Sequence, residues 1–273
     1  MPELPEVEAV CRRIRRGAEG QLIASARILR PGITLPQSSA ETEETLAGRR
    51  IGKVWRRGKN ILIGTSGAGE DRVLRIHLRM TGNLVLFKDA RLVPPAARMV
   101  LEFPDRSGLV FTDSRALGRV HLHSLAELES ILAELGPEPL SRQFTVQWLA
   151  AAASACGQPA KLFLMDQSRI AGLGNIYAAE ALFQAGIHPG KRMKTLRMPK
   201  IGALHAAIVD ILRRAVKVTA AEYRRPGYWG GEEWDFPLRV YGRKGEPCLV
   251  CGSKIRSMRQ GGRSTYYCPR CQR

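Results

Sequence analysis

Cys248-x2-Cys251-x16-Cys268-x2-Cys271 is the pattern that most narrows what this chain can become. Two CxxC pairs at this separation are a four-thiolate zinc site: tetrahedral, closed, and without an open position for chemistry. Redox motifs or disulfides are the competing reading. They fit poorly, because each pair lies in a Gly-rich, basic ribbon and not in a βαβ unit. Between the pairs, Lys254–Met258 and Ser264–Tyr267 read as two strands turning at Gly261-Gly262, a zinc-stapled hairpin carrying Arg256, Arg259 and Arg263. The other two cysteines, Cys11 and Cys156, stand alone and read as small buried hydrophobes. Such usage suits a reducing, cytoplasmic compartment and not a secreted disulfide framework.

The charge balance names the kind of partner. The chain has 273 residues with 43 Lys+Arg against 25 Asp+Glu, a formal net charge of +18. An excess of this size points to a polyanion, and nucleic acid is the usual one. A membrane surface is the alternative, but the sequence has no long apolar run and no amphipathic basic helix with an aromatic edge.

The pattern along the chain predicts α+β organisation in several domains. Leu4, Val7, Cys11 and Ile14 recur at helical spacing, which predicts a helix over 3–16 closed by Gly17 and Gly20. From 21 to 123, eight short apolar runs alternate with turn residues and predict a β-sandwich or barrel. Ser124, followed three residues later by Glu127, caps a short helix to Leu135. The divisions are a first domain over 1–135, a linker over 136–142 around Gly136-Pro137-Glu138-Pro139, a helical domain over 143–238, and a zinc module over 239–273. Residues 225–238, rich in Gly, Pro and aromatics, read as a long mobile loop.

Four further motifs carry candidate chemistry. Removal of Met1 would leave Pro2 as a secondary amine at the N-terminus. An α-amino group titrates at about 7.7–8.0, so much of it is an unprotonated nucleophile near neutral pH. Glu3 sits beside it and Glu6 one helical turn on. Taken alone, Pro5 and the two acids also suit an ordinary helix start. Gly172-Leu173-Gly174-Asn175 before a helix is an anion-binding arrangement or a simple cap, with Lys161 on the preceding segment as an added charge. Arg56-Arg57-Gly58-Lys59 is a basic turn, either solvated surface or a phosphate contact. In His77-Leu78-Arg79-Met80-Thr81-Gly82, His77 is more often a satisfied structural residue at a strand end than a catalyst, and Met80 is core or an exposed wedge.

Together and in this order, the pieces resemble the bacterial formamidopyrimidine-DNA glycosylase family, in the wider group that includes endonuclease VIII. The resemblance spans the whole chain. It rests on Pro2-Glu3-Leu4-Pro5-Glu6-Val7-Glu8, Arg57-Gly58-Lys59, His77 to Gly82, Asp113-Ser114-Arg115, Leu164 to Gln167, Gly172 to Glu180, Val240 to Cys248 and the four cysteines. Leu4 favours the formamidopyrimidine branch over the endonuclease VIII branch.

The resemblance implies an N-terminal helix on a β-sandwich, then a helix-two-turns-helix domain with a C-terminal zinc-finger β-hairpin and one structural Zn2+. It implies a cytoplasmic, nucleoid-associated monomer acting on double-stranded DNA that contains oxidised bases or abasic sites. The activity implied is excision of oxidised purines with strand cleavage at the abasic site. Pro2 would be the nucleophile and Glu3 the general acid/base, with Glu6 anchoring the N-terminus. Lys59, Asn175 and Arg263 would clamp phosphates, and Lys161 and His77 would be further DNA contacts. Met80, Arg115 and Leu117 would fill the void left by the flipped base, with Arg115 also facing the orphaned cytosine. Leu117 stands where the family usually has Phe. The loop 217–238, with Tyr223, Tyr228, Trp229 and Trp234, corresponds to the segment that caps the flipped base. An endonuclease VIII-like enzyme for oxidised pyrimidines and a non-catalytic lesion binder are the alternatives.

Overall fold

The alternating runs between residues 21 and 123 become eight strands in the computed structural model, which describes residues 2–224 and 236–273. These are β1 (Ser25–Ile28), β2 (Arg50–Arg57), β3 (Asn60–Ser66), β4 (Arg72–His77), β5 (Gly82–Phe87), β6 (Ala97–Glu102), β7 (Gly108–Asp113) and β8 (Arg119–Ser124). They form two four-stranded sheets, ordered β2-β3-β4-β8 and β1-β6-β7-β5, in which every pairing is antiparallel. Alternate residues such as Ile61, Ile63, Leu74, Ile76, Leu84, Leu101 and Leu109 share one buried cluster. That is the two-sheet core expected of a sandwich.

Helix α1 (Leu4–Ala18) contributes Val7, Cys11, Ile14 and Ala18 to the same cluster. Gly17 does not end it, as the sequence reading had it. A Cβ there would lie 2.6 Å from Leu86 Cδ1, so the glycine lets the last turn of α1 approach β5 closely. The register of β2 shifts between Ile51 and Val54. A shift of this kind leaves backbone groups without ladder partners, and α1 supplies them. Arg15 donates to the Val54 carbonyl at 2.9 Å, and the Glu19 carboxylate accepts the Val54 N–H at 2.7 Å.

Helix α2 (Ser39–Leu46) interrupts the strands and is absent from the sequence reading. Helix α3 (Leu125–Ala133) begins as expected: the Ser124 hydroxyl accepts the Glu127 N–H and Glu127 accepts the Ser124 N–H at 2.8 Å.

The remaining elements are α4 (Val146–Ser154), α5 (Ala160–Met165), α6 (Asn175–Gln184), α7 (Met198–Glu222), β9 (Arg256–Gln260) and β10 (Arg263–Tyr267). Every residue of α6 from Asn175 to Phe183 is buried, as an all-round apolar helix must be. The described residues cluster into two compact units, one of 2–134 with 218–224 and the other of 135–217 with 236–273. The segment 136–142, expected as a linker, is tied into the second unit. Gly136 N–H donates to the Gln167 carbonyl at 2.9 Å, and Ala171 N–H to that of Pro137 at 3.1 Å.

The expected capping loop 217–238 is also corrected at its start. Helix α7 continues to Glu222, and Tyr223 is buried in the sandwich core with the Arg13 guanidinium 4.9 Å from its ring centroid. Tyr228, Trp229 and Trp234 lie outside the described residues.

Candidate active site

The N-terminal chemistry sits on the first turn of α1. Glu3 occupies the N-cap in extended conformation and is fully buried. Its N–H donates to the Glu6 carboxylate at 2.7 Å, so Glu6 fixes the backbone next to Pro2. Pro5 falls in the first turn, where its missing N–H costs nothing.

The basic turn between β2 and β3 is built from the same helix. Arg56 is only 11% exposed; it pairs with Glu8 at 3.1 Å and donates to the Gly58 carbonyl at 2.9 Å. Burial alone would raise the Glu8 carboxyl, but hydrogen bonds and charges from Arg12 and Arg56 outweigh it and hold it below the ordinary carboxylate range. Gly58 takes φ +58°, a backbone that favours glycine. Lys59 follows, half-buried, next to Asn60, whose register partner is His77. His77 is driven down to about 4, by burial first and then by the charges of Arg79, Lys59 and Arg75. Its Nδ1 accepts the Arg79 N–H at 3.1 Å. His77 is therefore a neutral imidazole among three cations, which are themselves suited to a phosphate.

Met80, Arg115 and Leu117 are all exposed, on two turns of this unit; Met80 and Leu117 show 40% of their surface each. Met80 is thus not core. Arg79 and Ala116, beside them, have left-handed backbone (φ +56° and +50°). Sequence reading missed what joins the turns. Buried Asp113 accepts hydrogen bonds from the Thr81 hydroxyl and from the N–H groups of Arg115 and Gly118. Its signal is faint: an acid ending an apolar strand, with a glycine five residues later.

In the second unit, Asn175 opens α6 after Gly174. Gln167 shapes the approach by donating to the Leu173 carbonyl at 2.8 Å and accepting the Gly172 N–H at 2.9 Å. Asn175 Nδ2 donates to the Ser264 carbonyl at 3.1 Å, while its Oδ1 is buried without a hydrogen-bond partner. Ser264 follows Arg263, which is exposed at the start of β10. The turn before it is Gly261-Gly262, with φ of +54° and +76°, as a two-residue hairpin requires. Asn175 and Arg263 are thereby brought together. Lys161, expected as a further DNA contact, has no solvent exposure. It lies on α5 and its Nζ donates to the Asn175 carbonyl. Among apolar neighbours on a short helix the side chain turns inward, and it braces Asn175 from behind.

The four cysteine sulfurs lie within 4.8 Å of one another. Cys248 and Cys271 are 3.9 Å apart and Cys251 and Cys268 3.5 Å, close to the edge of about 3.8 Å in a zinc-thiolate tetrahedron. The site fits one Zn2+ held by Cys248, Cys251, Cys268 and Cys271. Cys248 and Cys268 pack with Ile255, Val240, Ala179 and Phe183, which seats the hairpin on α6. Glu180 secures the segment leading into the zinc module by accepting the N–H groups of Arg239, Val240 and Tyr241 at 2.8–2.9 Å. A lone acid in an apolar helix was its overlooked signal.

A sandwich carrying an N-terminal Pro-Glu pair, followed by a helical unit with a four-thiolate hairpin, defines a class of DNA-lesion enzymes. The chain matches the formamidopyrimidine-DNA glycosylase N-terminal domain over residues 1–120, the H2TH domain of the same enzymes over 135–225, and the zinc finger found in FPG and IleRS over 245–273. It is 41% identical to the formamidopyrimidine-DNA glycosylase of Synechococcus elongatus over 284 residues, covering 100% of this chain and 97% of that one. It is 40% identical to that of Pelotomaculum thermopropionicum, covering 100% and 99%. Among solved structures it is similar to the wild-type Lactococcus lactis Fpg in complex with DNA containing N7-benzyl-Fapy-dG (TM-score 0.89, 32% identity, 100% of both chains). It is equally similar to the Lactococcus lactis Fpg in complex with DNA containing an abasic site (TM-score 0.89, 32% identity, 99% of both chains). The chain belongs to the formamidopyrimidine-DNA glycosylase family. Among the described residues no helix is long and apolar enough to cross a membrane.

Proposed function

We propose that the protein is a bifunctional DNA glycosylase and AP lyase of base excision repair, removing 8-oxoguanine and formamidopyrimidines from double-stranded DNA. The observation that carries this is the Pro2-Glu3 pair held at the start of α1 by the Glu6 carboxylate. A damaged base inside a duplex is out of reach, so it is flipped out. With Met1 removed, the Pro2 nitrogen attacks the sugar C1′, its lone pair forming the new bond as the glycosidic pair leaves with the base, which takes up the proton that the nitrogen sheds. Glu3 delivers a proton to the ring oxygen as the ring opens, and the nitrogen retains C1′ as an iminium. That cation acidifies the C2′ hydrogen. Two successive eliminations then expel the phosphates on either side, and hydrolysis frees Pro2.

Lys59, Asn175 and Arg263 hold the phosphates beside the lesion, and Met80, Arg115 and Leu117 occupy the space it leaves. His77 contributes to DNA contact only as a neutral ring, and Lys161 only through Asn175. The chromosome, in the reducing cytoplasm where the cysteines keep their metal, is the place of action. Zinc has no part in the reaction; it holds the hairpin that carries Arg263.

Borohydride trapping tests this reading. Duplexes with 8-oxoguanine opposite cytosine should give a covalent adduct at Pro2, and Pro2→Gly should give little. An adduct mapped to an internal lysine, or cleavage only of thymine glycol opposite adenine, would displace it.

A further inference from the structure

Two residues with left-handed backbone adjoin the wedge candidates. Arg79 precedes Met80, and Ala116 separates Arg115 from Leu117. Side chains with a Cβ keep such a conformation only where their surroundings hold it. The Arg79 N–H is held by His77 Nδ1, and one carboxylate bonds to both turns. Asp113 ends β7 and is fully buried. One of its oxygens accepts the Thr81 hydroxyl and, at 3.2 Å, the Arg115 N–H; the other accepts the Gly118 N–H at 2.7 Å. The Arg115 N–H also reaches Thr81 Oγ1 at 3.3 Å. The Asp113 carbonyl accepts the Ala116 N–H at 3.2 Å and Arg98 Nε at 2.8 Å.

There is no slack around these bonds. A Cβ on Gly118 would lie 2.4 Å from Phe111 Cζ, and one on Gly82 would lie 2.4 Å from the Leu78 carbonyl oxygen. Three donors converge on the site, and a carboxylate is the side chain with acceptors alone and two oxygens to share among them.

We propose that Asp113, pinned by the Thr81 hydroxyl, is a positioning residue that joins the Met80 turn and the Arg115–Leu117 turn into one preformed wedge. It rests on the void-filling reading of Met80, Arg115 and Leu117. Turns ordered before DNA arrives avoid the entropic cost of ordering them on it. The three side chains then enter the duplex as a unit.

Single-turnover excision by the full chain tests this, on 8-oxoguanine paired in a duplex and on the same lesion in an unpaired bubble. Thr81→Val should lose about tenfold on the paired lesion, the worth of one buried hydrogen bond left unmade. It should lose far less in the bubble, where extrusion is cheap. Thr81→Ser should restore the paired rate. Asp113→Asn should show the same selectivity, because an amide keeps one acceptor oxygen and must turn its NH2 either on the Gly118 N–H or on the Thr81 and Arg115 donors. Met80→Ala is run beside them. If Met80→Ala is selective for the paired lesion while Thr81→Val loses nothing, or loses equally on both substrates, the wedge stands and Asp113 does not position it. If Met80→Ala itself loses equally on both, the void-filling reading falls and takes this proposal with it.

Discussion

Lys161 Nζ donates to the main-chain carbonyl of Asn175 from a site with no solvent exposure. The amino group therefore supports the first residue of α6 and is screened from any phosphate. Lys161→Met keeps most of the volume and deletes the donor. It should lower stability by about 1–3 kcal/mol, the cost of a buried group left unsatisfied. Binding should weaken through Asn175, yet the slope of log K against log salt should stay as it was. Fluorescence titration of duplex at several salt concentrations reads both quantities.

Arg263 is the contrasting case, exposed at the start of β10. Arg263→Ala should weaken binding to every duplex alike and flatten the same slope by roughly 0.9, one phosphate contact's share. Lys59→Ala should do likewise. Unchanged slopes in both variants would place these residues outside the footprint.

Much of this was legible in the chain, for definable reasons. The CxxC spacing, the Ser124–Glu127 cap and the alternation in β2 to β8 are local signals, and each became the element expected. Helix α2 was missed because Ser39–Leu46 buries only Thr42 and Leu46, too little for an apolar stripe. Gly17 misled because a glycine late in a helix looks like a stop, whereas its reason lies 69 residues away at Leu86. Lys161 and Asp113 were misjudged or overlooked on similar grounds. Lys161 reaches Asn175, 14 residues on, and Asp113 reaches Thr81, 32 residues back, and no periodicity records a hydrogen bond across turns.

His77 should carry no charge at physiological pH. Burial and its cationic neighbours lower its pKa to about 4, below the ordinary value near 6.5. In the unfolded chain the ring takes up its proton first as pH falls. Its contribution to stability is thus complete above about 6.5 and is lost as pH drops toward 4. An NMR titration of the imidazole protons should show no midpoint above pH 5 for His77. A midpoint near 6.5 would mean the ring is more open to water than its place at the end of β4 indicates.

Removing zinc should disturb the second unit and leave the sandwich as it is. Cys268→Ser or chelation should unfold the hairpin, since metal binding and folding are linked in small modules. The Asn175–Ser264 hydrogen bond would go with it, and DNA affinity should collapse. The sandwich has its own core and should melt where it did before, as seen by calorimetry. Active protein without zinc would overturn the structural role.

Leu117→Phe should tighten binding to undamaged DNA. A ring stacked on a base is worth about 1–3 kcal/mol, which leucine cannot supply. Scanning should slow, while single-turnover excision of an already extruded lesion should change little. Equal affinity for undamaged duplex would show that the side chain at 117 does not meet a base face.

The cysteines divide in a way that makes the protein its own metal gauge. Cys11 is buried, its Sγ directed at the Trp55 carbonyl, and its thiol is pushed up to about 12 by burial and the nearby Glu8 carboxylate. Cys156 is buried as well. Thiolates attack alkylating reagents only where the two can meet, and burial keeps the reagent from both residues. The remaining thiols all belong to the zinc site. Iodoacetamide uptake by the folded chain therefore counts vacated zinc sites directly, in steps of four, with no change to the sequence required.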